Sequence, residues 1–154
     1  MWIGIAVVGV LVVGLVVWLV WHPVRVFGRE VKVERARELF RLQHERLQIM
    51  FLGAASRSGK PRGLRWKECQ WSDLIAWARE KQTGMMLALV GVTIAFEAIE
   101  GSDMEGVAAV GNLRNASAVF FLRDGRWQTN GRVIFNLNPD EAIEHLKGEV
   151  ERAT

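Results

Sequence analysis

"MMLALVGVTIAFEAIE", residues 85–100, is the stretch on which the fold turns. It carries no charge from Met85 to Phe96, twelve residues, and then Glu97 appears. A membrane-crossing helix needs about 20 apolar residues, so this run is too short to span and must be buried within a fold. Val92, Ile94, Phe96 and Ala98 fall on one face of a strand, and Gly91 predicts a bulge.

The flanking segments read as its partners. "GLRWKECQW" alternates Leu64, Trp66 and Glu68 against Arg65, Lys67 and Cys69, which predicts a strand over 64–70. Ser72 then caps a predicted helix, 73–82, with Leu74, Ile75, Trp77 and Ala78 toward the core and Gly84 as its end. On the other side "GSDMEG", 101–106, is a turn, and a strand runs from about Val107 into "NASAVFFLR". Asp124-Gly125 is a two-residue hairpin signal, and "RWQTNGRVIFNL" returns, with a bulge predicted at Asn130-Gly131. A last helix starts at Asn138-Pro139 with acids in its first turn, and Ala142, Ile143, Leu146 and Val150 form its apolar face. The fold class is α+β: a small antiparallel sheet of about four strands covered by helices.

Before this domain the chain changes character. Trp2 to Trp21 is twenty residues without a charge, thirteen of them Val, Ile or Leu. Helical, such a run covers roughly 30 Å, the thickness of a bilayer's hydrocarbon core. No basic segment precedes it and no small-x-small cleavage pattern follows, so a transmembrane anchor is preferred to a signal peptide. Trp2, Trp18 and Trp21 fall at its ends, where indole rings favour the headgroup level. Arg25, Arg29 and Lys32 follow it, which predicts the N-terminus outside, a single pass, and a cytoplasmic C-terminal domain. The expected organisation is an anchor at 1–22, a basic juxtamembrane helix at 23–53, a linker at 54–63 and the α+β domain at 64–154.

The net charge of +3 hides two unlike parts. Residues 22–62 hold ten Lys/Arg against four Glu, whereas 63–154 hold ten against thirteen Asp/Glu. The basic part suits anionic lipid headgroups beside a bilayer. It does not argue for nucleic acid, and Arg57, Lys60 and Arg62 in "SRSGKPRG" lack the spacing of a phosphate loop. Within 30–52, Val33, Ala36, Phe40, Leu47 and Met50 recur at helical steps, with Gln43 in the seam and Gly53 as a stop. Leu39, Leu42 and Ile49 widen the apolar face, which favours packing on the protein's own domain over self-association through residues 30–52.

Chemistry is sparse. The acids Glu97, Glu100, Asp103 and Glu105 flank the 101–106 turn, but no calcium-loop spacing is present. His22, His44 and His145 are scattered, and none is spaced with Cys69 as metal ligands, so no metal and no cofactor is implied. No nucleophile elbow or dinucleotide fingerprint occurs. Trp66, Trp71, Trp77 and Trp127 are many for a small domain and either build its core or line a pocket for a peptide or small ligand. The sequence thus predicts a membrane-anchored interaction or ligand-binding domain with a protein or small-molecule partner. The alternative is a small tethered enzyme using the acidic turn 97–105.

Overall fold

A computed structural model describes residues 32–58 and 63–153. The chain divides into two compact units, 1–37 and 38–154. The described part of the first is helical, and there Arg37 and Glu34 stand 3.6 Å apart across one turn.

The second unit is α+β. Helical residues continue to position 42, turn at Gln43, and resume as α1, His44–Ser58. Gln43 keeps the two pieces joined: its N–H reaches the carbonyls of Leu39 and Phe40, and its own carbonyl accepts from Leu47. Six strands follow: β1 Leu64–Glu80, β2 Met86–Ala98, β3 Arg114–Arg123, β4 Arg126–Gln128, β5 Val133–Phe135 and β6 Val150–Arg152. All pair antiparallel in the order β4-β3-β2-β1-β6, and β5 also pairs with β3. A short helix, α2, Pro139–His145, lies between β5 and β6.

The transmembrane helix expected as part of this fold is corrected. Among the described residues no helix is long and apolar enough to cross a membrane. With 15 residues, α1 is about 22 Å long, short of the roughly 30 Å of a hydrocarbon core, and its outer face carries Glu45 and Arg46. Residues 1–22, where the anchor was expected, lie outside the described residues, as do Trp2, Trp18, Trp21, Arg25 and Arg29. Lys32 is described and is exposed on a helix. Among the described residues, then, nothing supports the single-pass and transmembrane reading.

The sheet also has six strands where about four are expected, for three local reasons. First, the segment read as a helix over 73–82 is the second half of β1. Ile75 and Trp77 face one side while Ala76 and Ala78 face the other, and both sides are covered. Burial on two faces defeats a helix reading, which assumes one wet side. The bulge falls on β1 rather than β2: residues 72–74 lie opposite Gly91, and the Ser72 hydroxyl accepts the Leu74 N–H at 3.1 Å. A side chain at Gly91 would meet Ser72 Cβ at 3.1 Å, so the glycine makes room for the neighbour's extra residues.

Second, the returning strand is split in two. Asp124 and Gly125 both adopt positive φ, 52° and 71°, giving the tight hairpin from β3 into β4. At Gly131 the chain leaves the sheet to touch α1, where an added Cβ would stand 2.4 Å from the Ala55 backbone nitrogen. It rejoins β3 as β5. Third, α2 stops at His145, and the C-terminal residues form β6 against the end of β1. The α2 start is as expected: Asn138 and Glu141 form a reciprocal capping box with Pro139 behind the cap. The strand expected from Val107 begins only at Arg114, after a 3-10 turn over Ala108–Gly111.

Candidate functional site

The register assigns the paired apolar strand residues to two faces. On the first lie Trp66, Trp71, Ile75 and Trp77 of β1, Val90, Val92, Ile94 and Phe96 of β2, and Ala116, Ala118 and Phe120 of β3. The helical residues 38–58 cover it with a seam of Phe40, Leu47, Phe51 and Ala55, each 1% exposed or less. Met50 falls outside this seam and Phe51 takes its place, while Leu42 and Ile49 point away at 78% and 72% exposure. The helix also runs past Gly53 to Ser58.

The four domain tryptophans are found here, closed on phenylalanines. Phe40 meets Trp77, Phe120 and Trp127 edge-on at 5.5, 5.4 and 5.1 Å between ring centroids. Phe51 meets Trp71 at 5.3 Å and Trp66 at 6.2 Å, and Trp66 meets Phe96 at 5.2 Å. Edge-to-face pairs of this kind add roughly 0.5–1.5 kcal/mol each beyond area burial. These rings form one packed layer. A hollow of about 320 Å³ touches Trp127, but its other walls are mostly long side chains: Gln43, Arg46, Met50, Arg126 and Gln128.

The acidic turn does not gather its carboxylates. Glu97 is bound to its cross-strand partner Arg65 at 2.6 Å. Glu105 accepts the Gly101 N–H at 2.7 Å and so closes the loop. Glu100 and Asp103 are exposed. Among the described residues no group of three or more His, Cys, Asp or Glu is placed to hold a metal ion. Burial, and then neighbouring Glu68, push the Cys69 thiol up to about 11, the opposite of an activated nucleophile.

The second face carries a feature the sequence reading missed. Ala76, Ala78, Leu87, Leu89, Ala142, Ile143 and Val150 form its core, with Met85, Phe121, Ile134, Leu137 and Leu146 packed around them. The cover is α2, only seven residues and about 10 Å long. It cannot blanket strands of 17 and 13 residues. Beside it a hollow of about 380 Å³ remains, within the range of small-ligand sites. Its apolar lining is Met85, Leu87, Leu89, Val119, Phe121, Leu146 and Val150, and its rim is Glu80, Arg123, Asn130, Arg132 and Glu149. The sequence did hold a signal: Leu87 and Leu89 alternate with Ala88 and Val90, so β2 is apolar on both sides. A strand of that kind needs a cover on each side.

Comparison with known proteins finds no matching family model, no matching curated relative and no matching solved structure.

Proposed function

We propose that the second unit is a non-catalytic binding module whose small ligand seats in the hollow beside α2. The observation that carries this reading is the contrast in cover. Large rings fill one face of the sheet, and the other keeps about 380 Å³ over an apolar floor. An apolar cavity ringed by a few polar groups is the usual form of a small-molecule site. Against an enzyme stand the occupied Glu97, the raised Cys69 thiol and the dispersed acids of the 101–106 turn. The tryptophans support the domain rather than the ligand.

The test is an apolar fluorescent probe, anilinonaphthalene sulfonate, titrated into the full-length protein. Saturable enhancement is expected. Met85→Trp and Leu146→Trp, which fill the hollow from two sides, are expected to abolish it while the melting temperature holds. Enhancement that survives in both folded variants would place the probe elsewhere and overturn the reading.

A further inference from the structure

The charges around the hollow are sorted. Arg123 and Arg132 stand on the β3 side, and Glu80 and Glu149 stand on the β1–β6 side. Arg123 is the last residue of β3, and Arg132 lies against the same strand nearer its middle, where its carbonyl accepts the Val119 N–H at 3.0 Å. Glu80 ends β1, and Glu149 immediately precedes β6. The order β3-β2-β1 puts two strand spacings, about 10 Å, between the cationic and acidic sides. Between them runs the apolar floor.

None of these four side chains is in an ion pair among the described residues. Each is held at the rim in another way or left free for a ligand. The Arg123 guanidinium lies 5.3 Å from the centroid of the Phe121 ring, at the edge of the floor. Glu80 accepts a hydrogen bond from the Thr83 hydroxyl, which leaves its second oxygen open. The nearest lysine on the acidic side does not neutralise it: Lys81 Nζ donates to the Lys147 carbonyl at 2.6 Å.

We infer that the hollow selects a dipolar ligand: an apolar chain with an anionic group at one end and a cationic group at the other. The anion faces Arg123 and Arg132, and the cation faces Glu80 and Glu149. The apolar middle lies over Leu87, Leu89 and Val119. This rests on the binding reading above and adds the ligand's chemical class. Arginine's planar fork suits a carboxylate or phosphate at one end. The opposite carboxylates suit an ammonium, while either end alone meets only half of the rim.

The experiment is calorimetric titration of the full-length protein with 8-aminooctanoate, octanoate and octylamine at low salt. One exposed ion pair is worth up to about fivefold in affinity, so 8-aminooctanoate is expected to bind about fivefold tighter than either single-charge probe. Arg123→Gln with Arg132→Gln is expected to bring it down to the level of octylamine. Glu80→Gln with Glu149→Gln is expected to bring it down to octanoate. All four side chains are at the rim, so folding is checked by melting temperature and is expected to hold. Equal binding of all three probes to the wild-type protein would overturn the dipolar inference and leave the cavity reading standing. Binding of none of them would overturn both.

Discussion

The two faces of the sheet are built from the same strands and end in opposite states. On the first, residues 38–58 lay a helix along the sheet and fill the gap with six-membered and indole rings. On the second, a seven-residue helix covers aliphatic side chains and leaves a hollow beside it. The difference lies in the length of the cover. A strand pair of 13 to 17 residues offers more apolar surface than a two-turn helix can hide. On the proposed reading the faces divide the work: one supplies stability, and the other keeps apolar surface within reach of a ligand.

That division predicts a graded response to truncation. Phe51→Ala or Phe40→Ala, each at a fully packed site, is expected to cost about 3–5 kcal/mol in urea unfolding. Ile143→Ala on the buried face of α2 is expected near the low end for its type, about 2 kcal/mol, because the helix can settle toward the hollow beside it. Equal losses on the two faces would break the comparison. Gly131→Ala tests how closely the first face is packed, since its new methyl would strike the α1 backbone from a φ of 77°. A loss of about 1–3 kcal/mol is expected.

Cys69 reports the dryness of the first face, which it shares with Ile94. Burial favours its neutral thiol over the thiolate, so its folded value of about 11 lies above the ordinary 9.0. Its contribution to stability is therefore complete below about pH 9 and is lost as the pH rises from 9.0 toward about 11. Alkylation rates followed against pH are expected to turn up near 11 in the folded protein and near 9 in urea; one common midpoint would show a wet site. The smallest effect is expected at Leu42→Gln and Ile49→Gln, which point away from both faces and should stay within about 0.5 kcal/mol.

Much of the fold was legible where a local rule had no competitor. Asp124-Gly125 made its hairpin, Asn138-Pro139 started its helix, and the apolar run from Met85 became a strand. The misread helix comes from burial on two sides. Leu74 to Ala78 reads as a helix only if one side is wet, yet Trp77 and Ala78 are covered from opposite directions. Gly91 marked a bulge, but the extra residues belong to the partner strand, a relation no single segment reveals. The transmembrane reading rested on residues outside the described part, and no described helix can take that role. For the site, the tryptophans drew attention because they are rare and large, and they became structure. The hollow is lined mostly by common aliphatic residues that meet from β2, β3, β6 and the residue that ends α2, so spacing along the chain does not announce it.

The central claim is that ligand meets the second face and never the first. Methyl-resolved NMR of the full-length protein during titration with 8-aminooctanoate reads both faces at once. Saturable shifts are expected at Leu87, Leu89 and Val119, with Val92 and Ile94 unmoved. Shifts centred on Val92 and Ile94, with the other three still, would contradict the account.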